Sequence, residues 1–166
     1  LAPEFADSPP LMPSGGTPLG NAMRDFESWY DDWVWGAADP DHGDPFFGCR
    51  SVNLLLLVDG DETAFDGEPG DPGPDGDGDS NPCTIAERLF EVSGIRTYVI
   101  GFGVQSLPES FLTCIVEAGG TGFEDGGPGL LLPQSSAELS ETLSLVVAEI
   151  EARQAKAVPN NCGWTP

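Results

Sequence analysis

The chain reads VNLLLLVDG from Val52 to Gly60, a short apolar run that stops at an Asp-Gly pair. Apolar residues fill six of its first seven positions, so we predict a strand that is covered on both faces. Parallel strands inside α/β sheets are covered in this way, whereas half-buried strands alternate apolar and polar residues. The run therefore predicts a parallel sheet and places Asp59 at the carboxyl end of one strand.

A helix is predicted upstream of this strand. Thr17-Pro18 is typical of a helix start, because threonine caps the first turn and proline lacks only an N–H that would be unpaired there. Apolar residues then recur at steps of three and four until Gly36, namely Leu19, Ala22, Met23, Phe26, Tyr30 and Trp33. Trp29, Trp33 and Trp35 share this spacing, and we predict that they pack.

Downstream, the pattern predicts strands at 95–100 and 130–132 and three further helices. Each helix begins with a Ser or Thr followed three residues later by Glu, the spacing of a capping box. These boxes start at Thr84, Ser106 and Ser135. The last helix has one apolar face, formed by Leu139, Leu143, Val146, Val147 and Ile150.

The alternation of helices and strands predicts an α/β fold with a doubly wound, mostly parallel sheet, whose functional residues gather at the carboxyl ends of the strands. We divide the chain into a proline-rich lead-in at 1–14, one domain at 15–156 with an Asp/Gly/Pro-rich inserted loop at 60–82, and a tail at 157–166. No apolar run reaches the roughly 20 residues that a membrane helix needs. Leu1 is followed by no signal-peptide pattern, so a processed product or a fragment is expected.

The chain is strongly acidic, with six basic against 28 acidic residues and a formal charge of −22. Nucleic acids and anionic membranes need a basic surface to neutralise phosphates, so neither is an expected partner. Divalent cations are attracted instead. The simpler interpretation of most of these carboxylates is solubility in an extracellular medium.

Four cysteines, Cys49, Cys83, Cys114 and Cys162, lie far apart without the C-x-x-C spacing of zinc or redox sites. Disulfides in an oxidising compartment are predicted, and the alternative is four buried thiols in a cytosolic protein. Four cysteines allow three pairings. Their placement slightly favours Cys49 with Cys162, because one precedes a strand and the other follows the last helix.

Several strings together resemble the von Willebrand factor A domain, in the variety found in bacterial surface proteins and pilus-tip adhesins. They are PSGGTPLG at 13–20, the strand at 54–60, GIRTYVIGFG at 94–103 and AGGTG at 118–122. Their order and spacing extend over most of residues 15–155. The resemblance implies a C-terminal portion of such a domain, truncated on its N-terminal side.

Members of this family hold a divalent ion through a D-x-S-x-S motif, a threonine in a later loop and an aspartate that ends the next central strand. By this resemblance, Thr17 matches the threonine and Asp59 matches the aspartate, and Mg²⁺ or Ca²⁺ is the implied ion. The D-x-S-x-S motif does not occur in the chain, so we expect it on a strand upstream of Leu1. Without the resemblance, Thr17 would be a plain helix cap and Asp59 part of a turn.

The implied function is that of a secreted or cell-surface adhesion module, not an enzyme. It would engage a protein or extracellular-matrix ligand through the ion at the carboxyl rim of the sheet. A structural spacer with a vestigial metal site is the alternative within the same fold. The sequence does not identify the ligand, the metal or the oligomeric state.

A second metal site is suggested within the loop at 71–81, where Asp75, Asp77 and Asp79 alternate as at the start of calcium-binding loops. The match is partial, because Ala86 occupies the position of the bidentate glutamate. A solvated acidic loop is the competing interpretation.

The pair Asp59 and Asp61, followed by Thr63, also fits the D-x-D-x-T motif of haloacid-dehalogenase-like phosphatases. That chemistry needs a cation to hold the phosphate, and the one lysine, Lys156, closes the last helix. We therefore rank the phosphatase below the adhesion module.

Overall fold

The computed structural model describes residues 19–37, 51–58, 81–102, 109–124 and 126–157. These residues form a mixed α/β arrangement of helices packed on a parallel sheet. In chain order the elements are α1 (Leu19–Ala37), β1 (Asn53–Val58), α2 (Pro82–Ser93), β2 (Arg96–Gly101), α3 (Glu109–Ala118) and α4 (Ser136–Ala157). The alternation predicted from the apolar periodicity is therefore present in the described part of the chain.

β1 and β2 form a parallel pair that runs in register from Asn53 opposite Arg96 to Val58 opposite Gly101. Beyond the last pair, the Phe102 amide donates to the Val58 carbonyl over 2.8 Å. On its other edge, β2 meets only a single parallel bridge, between Ile100 and Leu131. The predicted strand at 130–132 is thus reduced to one bridging residue, and β2 lies between that residue and β1.

α2 begins three residues before the start that we predicted. Asn81 is its N-cap, with its side-chain oxygen accepting from the Cys83 amide over 2.9 Å, and Pro82 opens the first turn. Thr84 lies inside the helix and is exposed, so the capping box predicted there is wrong. Asparagine followed by proline is the stronger start signal, because it supplies both the acceptor and the preset φ angle. The predicted end is correct, with Gly94 as a left-handed cap at φ 69°.

α4 begins as predicted, at a capping box. The Ser135 hydroxyl accepts from the Glu138 amide over 3.2 Å, and the Glu138 carboxylate accepts from the Gln134 amide over 2.8 Å. The Glu138 amide, which has no partner within the helix, is satisfied in this way, as is the Gln134 amide just before the cap. The first residues of α3 follow residues 103–108, so the capping box predicted at Ser106 lies outside the described residues.

The sheet divides the core in two, because successive side chains of a strand point to opposite faces. Val99 packs with α1, α2 and α3 in one cluster, whose most buried members include Met23, Ile85 and Ile115. Tyr98 and Ile100 pack with Val146 of α4 in the second cluster. Burial of each large side chain contributes about 1.5–3 kcal/mol, so the larger cluster dominates the stability.

Two predictions of burial are wrong, the second only in part. β1 is covered on one face only, since Leu54 and Leu56 join the larger cluster while Leu55 and Leu57 are 41% and 59% exposed. The predicted face of α4 is correct in part: Leu139, Val146 and Ile150 pack in the second cluster, whereas Leu143 and Val147 are exposed. The cause is the narrow sheet: the cluster beneath α4 includes Tyr98 and Ile100 of β2 and no residue of β1.

Trp29 packs against the rings of Phe26 and Trp33, as predicted, but at the surface and not in the core, because its side chain is 55% exposed. Met23 of α1 points towards the core. Trp29 lies six residues later, and at 3.6 residues per turn its side chain points about 120° away from that of Met23. Phe26 and Tyr30 lie nearer the buried side and pack against the larger cluster.

None of the described helices combines the length and the apolar composition that a membrane-spanning segment needs.

Candidate functional site at the carboxyl end of the sheet

All five predicted metal ligands, Thr17, Asp59, Asp75, Asp77 and Asp79, lie outside the described residues, as does Asp61. The structure does describe the residues beside them in the chain. Leu19 follows Thr17 by two positions, Val58 directly precedes Asp59, and Asn81 follows the acidic loop. These neighbours define how the fold presents the segments that carry the candidate ligands.

Leu19 is the first residue of α1 and Val58 is the last residue of β1. Both are buried and belong to the same hydrophobic cluster, with exposed fractions of 7% and 3%. Gly20 is buried as well, so the first turn of α1 is packed and not frayed. The start of α1 and the carboxyl end of β1 are therefore anchored in one core.

The start of α2 is packed in the interior of the protein, because Asn81, Pro82 and Cys83 are all buried. Besides capping the Cys83 amide, Asn81 accepts through its carbonyl from the Ile85 amide over 3.0 Å. Because α2 follows β1 in the chain, its N-terminus returns to the body of the protein at the end of the acidic loop. Residues 59–80 therefore connect the end of β1 to a buried helix cap.

A disulfide joins Cys83 in the first turn of α2 to Cys114 in α3, with the two Cα atoms 5.7 Å apart. α2 and α3 pack side by side in the larger cluster, so the bond ties together two helices that already touch. This bond rules out two of the three possible pairings. The remaining pair is Cys49 with Cys162, the one that the sequence slightly favoured, and both cysteines lie outside the described residues.

The string at 118–122, part of the family resemblance, lies at the opposite end of the sheet. The Gly119 carbonyl accepts from the Thr97 amide over 3.0 Å, and the Thr121 hydroxyl donates to the Thr97 carbonyl over 2.5 Å. The Arg96 guanidinium donates to the Gly120 carbonyl and lies over the Phe90 ring. These contacts join the end of α3 to the beginning of β2, so this string has a structural role.

Tyr98 is the most deeply buried titratable side chain described. Its hydroxyl has no hydrogen-bond partner in the described part of the chain. Burial raises the pKa of this phenol above its ordinary value; Arg153 nearby lowers it in part, and Glu149 raises it. The hydroxyl is therefore neutral at physiological pH, and the Tyr98 side chain packs with Val146 beneath α4.

Across the five described segments, no group of three or more His, Cys, Asp or Glu side chains is arranged to hold a metal ion. The described carboxylates instead lie on the outer surfaces of the helices, as on α1 at Asp25, Asp31 and Asp32. Sequence reasoning did not find the mixed aromatic and acidic surface there. Its signal was available, because Asp25 and Asp32 stand four before and three after Trp29, on one side of a helix.

Comparison of the chain with protein-family models, with curated proteins and with solved structures finds no match. The functional argument therefore depends on the geometry described above and on the resemblance of the sequence strings.

Proposed function

We propose that this protein is a secreted or cell-surface binding module that engages a protein or matrix ligand through a divalent ion held at the carboxyl end of the sheet. Thr17 and Asp59 are the ligands that this chain contributes. The observation that supports this proposal is the burial of Leu19 and Val58 in the same hydrophobic cluster.

The lengths of the connecting chain favour a shared site. Consecutive Cα atoms lie about 3.8 Å apart, so Asp59 follows Val58 at that distance and Thr17 stands within about 7 Å of Leu19. Each of the two oxygen-bearing side chains is therefore joined by a short stretch of chain to a residue in the same core. We propose that they converge on one ion at the carboxyl end of the sheet.

The chemistry of the pair suits a hard cation, since Mg²⁺ and Ca²⁺ prefer carboxylate and hydroxyl oxygens. Such ions often keep water molecules, which a carboxylate from a binding partner replaces. Two protein ligands make a weak site, and the family resemblance supplies the remaining ligands from a D-x-S-x-S strand upstream. Asp75, Asp77 and Asp79 form a separate, weaker calcium site in this proposal.

The disulfide between Cys83 and Cys114 supports an exported protein, because such bonds persist in oxidising compartments. The net charge of −22 is in keeping with binding of cations and against binding of nucleic acid.

The test is a calorimetric titration of the full chain with Mg²⁺ and with Mn²⁺. Asp59→Asn and Thr17→Ala should each weaken binding by about tenfold or more, since loss of a ligand costs at least as much as loss of its supporting hydrogen bond. Glu91→Gln, an exposed carboxylate near the far end of α2, is the matched control and should leave the affinity unchanged.

If Asp59→Asn and Glu91→Gln bind the ion with equal affinity, the proposal is contradicted and the structural spacer is the remaining interpretation. A triple change of Asp75, Asp77 and Asp79 to Asn separates the loop site, because it should affect Ca²⁺ alone. Magnesium-dependent hydrolysis of a phosphomonoester that is lost in Asp59→Asn would replace the binding module with an enzyme.

A further inference from the structure

The outer side of α1 carries a ladder of aromatic rings that runs from the core to solvent. Phe26 and Tyr30 pack against the larger cluster at the inner end. Tyr30 meets Trp33 with ring centroids 5.8 Å apart, and Trp33 stacks on Trp29 at 6.2 Å with the planes only 11° from parallel. Trp29 is the outermost ring and exposes more than half of its surface.

The orientation of this side is set by contacts on the inner side of α1. Glu27 accepts two hydrogen bonds from the Arg88 guanidinium of α2, and both nitrogen-to-oxygen distances are 2.5 Å. Met23 is fully buried beside this ion pair. With α1 held in this way, rotation of the helix cannot bury Trp29, so its exposure belongs to the fold.

Two exposed carboxylates flank the Trp29 ring. Asp25 and Asp32 lie four residues before and three residues after it, which are the spacings of neighbours on a helix surface. With a rise of 1.5 Å per residue, the two aspartates are about 10 Å apart along the helix axis. Arg24, the basic residue of α1, lies on another side of the helix and donates to the Asn21 side chain.

The other described arginines are engaged elsewhere in the protein. Arg88 pairs with Glu27, Arg153 with Glu149 of α4, and Arg96 with the Gly120 carbonyl. None of these contacts of the described arginines involves Asp25 or Asp32. In a chain with a net charge of −22, the complementary partner for this surface is positively charged.

We propose that Trp29, together with Asp25 and Asp32, binds a lysine- or arginine-bearing segment of a partner protein. A cation over the face of an indole is attracted by the ring quadrupole, and a guanidinium also donates charged hydrogen bonds to carboxylates. The patch offers both interactions within one helix surface. This inference is independent of the metal site, which takes a negatively charged group at a different place in the fold.

The test is an NMR titration of the full chain with the blocked peptide acetyl-Gly-Arg-Gly-Gly-Arg-Gly-amide at physiological ionic strength. Its two arginines stand three residues apart and span about 10 Å when extended, which matches the separation of Asp25 and Asp32. The same peptide with citrulline in place of arginine keeps the shape and removes the charge. Shifts at α1 amides with the first peptide and none with the second are the expected result.

Charge is tested with two double variants that remove the same number of negative charges. Asp25→Asn with Asp32→Asn should weaken binding several-fold, whereas Glu87→Gln with Glu91→Gln on α2 should have little effect. The loss of affinity is expected to lie near two- to fivefold for each contact removed, the range of exposed cation–π and ion-pair interactions. Equal losses in both double variants would mean attraction by net charge alone and would overturn the proposal.

The ring is tested with Trp29→Leu against Trp29→Phe. Leucine keeps an apolar surface without a π face, so binding should fall by about two- to fivefold, while phenylalanine should retain most of it. Equal binding by the two variants would contradict a cation site. Binding of the citrulline peptide as tightly as the arginine peptide would also overturn it and would point to a neutral or apolar partner.

Discussion

Gly119 lies where α3 ends and the chain comes closest to β2. A Cβ atom added there would lie 2.6 Å from the Thr97 Cβ and 2.8 Å from the Ile115 carbonyl oxygen. Neither neighbour has room to move, because Thr97 lies within the sheet and the Ile115 carbonyl accepts from the Gly119 amide. The close approach allows the Thr97 amide to bond the Gly119 carbonyl and thereby joins the helix to the sheet.

Replacement of Gly119 by alanine should lower the free energy of unfolding by about 1–3 kcal/mol, the cost of forcing an extra methyl into a packed site. Gly36→Ala is the matched control, because nothing lies within 4 Å of a Cβ at that position in α1. It should be neutral or stabilise the protein by up to about 1 kcal/mol, since alanine favours helix over glycine. Urea unfolding of both variants is the measurement, and equal effects of the two changes would contradict the close contact.

Residue-level prediction from the sequence succeeded where the signal is local. Gly94 and Ser135 were correctly identified because a helix end depends on the conformation and hydrogen bonds of a few adjacent residues. The exposure of Trp29 was not predicted, for the opposite reason. This exposure depends on which side of α1 meets α2, and the ion pair between Arg88 and Glu27, 61 residues apart, has no local signature.

At the level of elements, β1 has one open side. It pairs with β2 along one edge, no described residue pairs with the other edge, and Leu55 and Leu57 are exposed on one face. Such a strand, without charge or proline for protection, is a template for pairing with another chain. The same run that indicated a strand covered on both faces is here covered on one.

We therefore predict that the isolated chain self-associates through β1 and that Leu57→Lys suppresses this association. A lysine on the exposed face adds a charge that must be desolvated when strands pair. Leu145→Lys on α4 is the matched control, since Leu145 is similarly exposed and belongs to a helix, which offers no backbone groups for strand pairing. Sedimentation velocity over a range of concentrations is the measurement. A monomer at all concentrations, with slowly exchanging amides at Leu55 and Leu57, which face the unpaired edge, would mean that another segment already covers it.

The number of strands was the part of the fold that the sequence could not define. Apolar periodicity identified each helix and both paired strands, because it depends on side chains within one element. The pairing of strands depends on contacts between distant segments, so the three residues at 130–132 were assigned a brief strand and form a single bridge. Likewise, the width of the buried face of α4 depends on the sheet beneath it, so Leu143 and Val147 were wrongly included in that face.

In the whole molecule, the two ends of the sheet have separate roles. At the amino end, hydrogen bonds among Thr97, Gly119 and Thr121 hold α3 against β2. At the carboxyl end, β1 ends at Val58, the residue before Asp59. The metal site that we propose belongs to this end, where parallel α/β folds bind their ligands.

The location of the ion is the central claim, and Mn²⁺ tests it directly. Because Mn²⁺ is paramagnetic, it broadens the NMR signals of nearby amides in the full chain, and the ends of a six-residue strand are about 17 Å apart. The proposal predicts that substoichiometric Mn²⁺ first broadens the amides of Leu19, Val58 and Phe102 and leaves those of Thr97 and Gly120 sharp. Loss of this broadening in Asp59→Asn would show that the Asp59 carboxylate holds the ion. Broadening spread evenly over the acidic helices, or confined to residues 71–81, would contradict a metal site at the carboxyl end of the sheet.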